Sequence, residues 1–144
     1  MGQVSRAAIQ SEVFLHLVVP DGAALPVQAS LRYVPADPYA VHVLFHAGGD
    51  AADTPSVSWS FARDLLVAGL TEPAGIGDVR VWPWSTQDGP VVALALSSPD
   101  GHALFEAPRE TLEDFVARTF AVVPAGSEPQ HLDIEAAVGR LLRR

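Results

Sequence analysis

The chain has 144 residues, 49% of them hydrophobic and 18% charged, the balance of one globular domain and not of a disordered segment. It contains no cysteine, which excludes disulfides, thiolate metal sites and cysteine nucleophiles. Seventeen acids against nine basic residues, all of them arginine, give a net charge of −8 that disfavours nucleic acid as a partner.

The N-terminus, Met1 to Arg6, lacks the apolar core of a signal peptide. The apolar runs Val13–Val19 and Val91–Leu96 are too short to cross a membrane, and His16 interrupts the first. The expectation is a cytoplasmic protein with no direct membrane insertion.

The first half reads as strands. Glu12–Val19 is apolar and ends in the turn Pro20-Asp21-Gly22. Leu25–Val34 alternates, with Val27, Ala29, Leu31 and Tyr33 on one face and Gln28, Ser30 and Arg32 on the other. After the turn Pro35–Pro38, Tyr39–His46 alternates again. Gly48–Pro55 reads as a polar loop and Val57–Ser60 as a short strand. A helix follows, with Ser60 as its expected N-cap, an apolar stripe at Phe61, Leu65, Leu66 and Ala68, and Gly69 closing it in the left-handed conformation.

The second half repeats that plan. Asp78–Pro83, Val91–Ser97 and His102–Ala107 read as strands joined by Gln87–Pro90 and Ser98–Gly101. A helix starts near Pro108, with Leu112, Phe115, Val116, Thr119, Phe120 and Val123 on its buried face and Arg118 as the late cation. Residues 124–130 read as a linker and 131–144 as a C-terminal helix with Ile134, Ala137, Val138, Leu141 and Leu142 on one side. The expected organisation is one domain over residues 1–144, with a core at about 8–123. The expected class is α+β: antiparallel sheets in two strand-then-helix halves, plus that last helix.

No nucleophile elbow, phosphate loop or zinc-hydrolase motif occurs. His42 and His46 would share one face of a helix, but on a strand four residues span about 13 Å, too far for two ligands of one metal. Gly75-Ile76-Gly77 runs from helix into strand, the reverse of a phosphate loop. Neither a metal nor a cofactor is expected. Asp78 and Arg80 are expected to share a strand face and form a structural ion pair.

Arg80, Trp82 and Trp84 alternate on one strand face. Tryptophan beside arginine suits a protein interface or stacking on single-stranded bases. It also suits packing between two sheets. Leu141 and Leu142 form the second candidate surface, because a dozen-residue helix is marginal alone and must dock on its own domain, on a second copy or on a partner.

Several ordered blocks carry a resemblance. Leu25-Pro26-Val27, Ala29–Tyr33, Asp37–His42 and Phe45-His46 continue through Trp59, Phe61–Leu66, Gly69-Leu70, Pro73, Gly77–Pro83, Leu96–Pro99 and Glu106–Pro108. Together they resemble the SsgA-like sporulation and cell-division proteins of actinobacteria, over nearly the whole chain. The resemblance is close to the branch that recruits or stabilises the tubulin-like division protein FtsZ. It implies a non-enzymatic adaptor at the division septum that helps place septa and cell-wall machinery. It also implies a whirly-like fold and a homotrimer. Whirly folds elsewhere bind single-stranded nucleic acid, which remains the alternative reading.

Overall fold

Period-two alternation decides which side of a strand is buried, most plainly over Ala40–His46, where Val41, Val43 and Phe45 are buried and the residues between them only partly so. A computed structural model describes residues 8–46 and 56–132. The elements are β1 (Ile9–Val18), β2 (Ala24–Tyr33), β3 (Ala40–His46), β4 (Ser56–Ala62), α1 (Arg63–Gly69), β5 (Val79–Thr86), β6 (Gly89–Ser98), β7 (Gly101–Pro108), α2 (Arg109–Val122) and α3 (Glu128–His131). This is the expected α+β plan of two strand-then-helix halves. The strands form one antiparallel sheet in the order β4-β3-β2-β1-β7-β6-β5.

The two halves meet through a short joint. β1 and β7 pair only at His16↔Glu106 and Leu17↔Phe105, whereas β1 and β2 pair along ten residues. The sheet therefore folds over at this joint and brings its two apolar faces together. Phe45 of β3 stacks on Phe105 of β7 with ring centroids 4.7 Å apart, an aromatic contact between the halves. Val13, Leu15, Leu31, Val43, Val81, Val92, Leu94 and Phe105 fill the space between.

The helices close one end of this core. Both begin where strands end at that side, α1 after Ala62 and α2 after Pro108. Leu66 and Leu70 from the first, and Leu112, Phe115 and Val116 from the second, join the core. The α2 stripe is the one its sequence periodicity predicts.

Three local expectations are corrected. Ser60 is not an N-cap. β4 runs on to Ala62, Ser60 pairs with His42 in the ladder, and α1 starts at Arg63 with no side-chain cap. Gly69 is not a left-handed terminator, since the chain continues right-handed through Leu70. Its missing side chain serves packing instead: an added Cβ would overlap Cγ1 and Cβ of Val81. Asp78 and Arg80 do not pair. Asp78 lies in the bend before β5, where its carbonyl accepts the Ser97 N–H at 2.9 Å, so it does not share Arg80's strand face.

Gly75 does act as a connecting turn. It has φ +96°, and the flanking Ala74 bonds both backbone groups of Val81 at 2.8 and 2.9 Å.

Arg63 ties the closed end together and is only 1% exposed. Its Nη1 donates to the Val123 carbonyl at 2.8 Å and its Nη2 to Glu128 Oε2 at 2.8 Å. The guanidinium lies 4.1 Å from the Phe120 ring centroid and 5.0 Å from that of Tyr33. Among the described residues its Nε has no hydrogen-bond partner. Aromatic faces on the cation offset part of that cost. Arg63, and not Arg118, thus supplies the positive charge at the C-terminal end of α2. Arg118 instead reaches back to the Gln10 carbonyl at 3.2 Å.

The stretch read as a linker contains α3, held by the same contact. Glu128 accepts the Gly126 N–H at 2.9 Å as well as the Arg63 guanidinium. Its own backbone N–H, then Arg63, hold its carboxyl below the usual range, with burial opposing them. Tyr33 donates to the Pro38 carbonyl at 2.8 Å, and burial pushes its phenol up to about 12.

Substitution of Gly69 by Ala is expected to cost about 1–3 kcal/mol by overpacking. Gly77→Ala, with open space around its Cβ, should stay within about 0.5 kcal/mol. Urea unfolding of both variants checks this contrast. Arg63→Ala should cost about 3–5 kcal/mol by the same measurement, because it removes one partner of a buried pair.

Glu128 has a lower pKa folded than unfolded. Its stabilising contribution is therefore present above the ordinary carboxylate pKa of 4.5 and lost as pH falls through the folded value. A Glu128→Gln variant should lose less stability than the parent between neutral and acid pH, as read by thermal unfolding across a pH series.

Candidate interaction surface

β5 is an edge strand whose alternation splits it into two different surfaces. Val79 and Val81 turn into the core, while Arg80, Trp82 and Trp84 line the outer face. Trp84 is 58% exposed. Trp82 is half-buried and stands opposite Ala93 in the ladder. The structure thus brings the three sequence candidates together on the outside of the sheet and not between its halves. Leu141 and Leu142 lie outside the described residues.

An open groove of about 720 Å³ runs along this outer face. Arg80 and Trp82 form one wall with Ala95 and Leu104 beneath them, and the β1–β2 hairpin at Val18–Gly22 forms the other. A shallower hollow beside Trp84 is bounded by Pro83, Pro90 and Arg109. Apolar floors with arginines at the rim suit contacts with another macromolecule.

The edge of β5 is blunted as a template for strand addition. Ala74 occupies both Val81 backbone groups, and Pro83 has no N–H. What β5 offers a partner is therefore its outer face.

The two histidines of β3 serve separate polar contacts. His42 Nδ1 lies 2.7 Å from Ser60 Oγ, and its Nε2 lies 3.6 Å from Asp37 Oδ2. The order Ser–His–Asp is that of a catalytic triad, but the His–Asp separation exceeds a hydrogen bond and none of the described cavities includes these residues.

His46 joins a different chain. The Ser30 hydroxyl donates to Glu12 Oε1 at 2.7 Å, which uses its single proton, so His46 Nε2–H donates to the Ser30 oxygen at 2.8 Å. Hydrogen bonds from Gln10 and then Ser30 hold the Glu12 carboxyl below its usual range. These contacts lace β1, β2 and β3 together on their outer face.

An enclosed cavity of about 10 Å³ sits in the core, lined by side chains such as Leu15, Leu31 and Val81. It is apolar and too small for a substrate. Among the described residues there is no cluster of potential metal ligands and no helix long and apolar enough to cross a membrane.

A folded-over antiparallel sheet, closed by helices at one end and bearing an exposed tryptophan–arginine face, defines an α+β domain. The comparisons give that class its family. Residues 27–128 match the family described as Streptomyces sporulation and cell division protein, SsgA, and the chain belongs to it. The chain is 63% identical over 142 residues to the sporulation-specific cell division protein SsgB of Salinispora tropica, covering 99% of this chain and 98% of that protein. The solved structure of SsgB from a study of mutations that correlate to longitudinal cell division during sporulation of Streptomyces coelicolor superposes with a TM-score of 0.81. It is 52% identical, over 88% of this chain and 96% of that one. The crystal structure of the SsgA-like sporulation-specific cell division protein from Thermobifida fusca also gives a TM-score of 0.81. It is 42% identical, over 97% and 98% of the two chains.

Trp84→Ser is expected to leave stability within about 0.5 kcal/mol of the parent, as an exposed surface change does. Thermal unfolding checks this and qualifies the variant for binding measurements.

Proposed function

We propose that the protein is a non-enzymatic adaptor in sporulation-specific cell division. It acts in the cytoplasm at the septum, where it recruits or stabilises FtsZ and cell-wall machinery. The observation that carries this reading is the 63% identity to an SsgB over 99% of the chain. The physical features agree with it. Arg80, Trp82 and Trp84 are presented on an open face beside a broad groove, which supports a macromolecular contact there. The whirly-like fold and trimeric assembly implied by the sequence resemblance belong to the same proposal.

A fluorescent fusion expressed in a sporulating host is expected to form ladders at septum sites and to co-purify with FtsZ. Diffuse fluorescence throughout sporulation would sink the reading. Light scattering of the purified chain should report an oligomer with the mass of three chains, and a monomer at micromolar concentration would remove the trimer.

The outer face of β5 also favours a second reading, as a single-strand nucleic-acid binder that stacks bases on Trp82 and Trp84. The net charge of −8 opposes it. That reading requires oligonucleotide binding at low salt which weakens with added salt and is lost in Trp84→Ser.

A further inference from the structure

β1 and β7 pair only at His16↔Glu106 and Leu17↔Phe105, and they part on both sides of that joint. Backbone alternation decides what each strand turns toward the gap. The Val19 N–H donates to the Ala23 carbonyl within the β1–β2 hairpin. The odd-numbered residues of β1 therefore bond β2, and the even-numbered ones, from Gln10 to Val18, face the β7 side. The Ser97 N–H donates to the Asp78 carbonyl beside β5, so Ser98 faces β7 and its partner Gly101 faces β6. His102, Leu104 and Glu106 consequently turn their N–H and C=O groups toward β1.

Toward the helix end the gap is filled. There α2 packs on β1 and β7, and Arg118 donates to the Gln10 carbonyl, one of those even-numbered groups, at 3.2 Å. A side-chain cation thus satisfies a strand carbonyl where β7 does not. Toward the β1–β2 hairpin the strands part around the groove of about 720 Å³. Among the described residues no strand pairs with the β1 side of His102. The groove enters this fork as well as running over the outer face. Val18 and Leu104 line it, and so do Leu17, Leu96 and Ala103, which pack against the core from the inner side.

The charge of the groove is the reverse of that of the chain. Arg80 lines it beside His102, and no acid among the described residues does, although 17 acids outnumber nine arginines in the sequence. Asp21, in the hairpin that forms one wall, is turned to its own loop and accepts the Ala23 N–H at 2.9 Å.

We propose that this fork binds one extended segment of a partner protein, with apolar and acidic side chains in alternation, added as a strand to the edge of β7 at His102. Strand addition draws affinity from main-chain hydrogen bonds and selectivity from alternate side chains. The apolar side chains of the segment face Leu17, Leu96 and Ala103, and the acidic ones between them face the outer side, where Arg80 stands. The hairpin wall limits the fork to a single added strand, so it does not propagate pairing as a free sheet edge does. The inference rests on the adaptor reading for a protein partner and adds the chemistry of the segment it takes.

The test uses the full chain and two fluorescein-labelled synthetic peptides, one of alternating valine and glutamate, the other with lysine in place of glutamate. Anisotropy is expected to report binding of the glutamate peptide and not of the lysine peptide. Arg80→Glu should weaken that binding at least about tenfold, the loss of one charge-assisted contact. Arg32→Glu, the same charge change on the exposed outer face of β2, should leave it near the parent value. Thermal unfolding confirms that both variants are folded. Amide hydrogen exchange reads the pairing itself: the His102 N–H is expected to exchange fast in the free chain and slowly with the glutamate peptide bound.

Equal affinity for the two peptides, no binding of the glutamate peptide, or equal effects of Arg80→Glu and Arg32→Glu would overturn the docking. So would binding that leaves the His102 amide unprotected. An amide already protected in the free chain would overturn it too, because the chain's own residues would then fill the fork. Lack of peptide binding with septal ladders intact refutes only this docking, whereas diffuse fluorescence of the fusion refutes the adaptor reading itself.

Discussion

The buried guanidinium of Arg63 is the constraint on which the closed end of the structure depends. One side chain from the first turn of α1 reaches the Val123 carbonyl just past α2, the carboxylate of α3 and two aromatic rings. A charge this deeply buried is tolerable only where its partners are fixed in advance. α1, α2 and α3 can therefore hold one arrangement around it, and the helix layer is set by an electrostatic contact as well as by apolar packing. The same contact fixes where the chain beyond α3 departs.

At the other end no helix among the described residues closes the core. The sheet is joined by only two residue pairs between β1 and β7, and it is held shut by contacts across the fold such as Phe45 on Phe105. Helix side chains seal one end, while Trp59 and Val57 are left at the rim of the other. A domain built this way is asymmetric along its strands: helices close one end, and among the described residues apolar side chains line a hollow at the other.

The outer surface shows how a cell-division protein of this family can present contacts without risking uncontrolled strand pairing. β5 carries its tryptophans outward, while Ala74 occupies the Val81 backbone groups and Pro83 lacks an N–H, which blunts the edge for another strand. The polar chains Gln10–Glu12–Ser30–His46 and Asp37–His42–Ser60 occupy the outer face of the first half and consume histidines and carboxylates in structural contacts.

Seven strands, their buried faces and the stripe of α2 were legible from alternation and helical spacing. So were the common face of Arg80, Trp82 and Trp84, which follows from period two, and the independence of His42 from His46, which follows from the rise of a strand; that the tryptophans face outward and not between two sheets was not. The start of α1 was misplaced since Ser60 has the chemistry of a cap, yet its ladder pairing with His42 outweighs that preference. Arg63 had a signal: it stands three and seven residues before Leu66 and Leu70, on the buried face. An arginine there is ordinarily read as surface, and its partners lie about sixty residues away.

Residue pattern and composition by themselves determined the strands, the α+β class and the lack of thiol chemistry, because these follow from local periodicity and from which side chains exist. The fold-over at β1–β7, the role of Gly69 against Val81 and the burial of Arg63 were decided only by tertiary structure. Each depends on which distant segments come to lie side by side, and that is settled by packing in three dimensions and not by spacing along the chain.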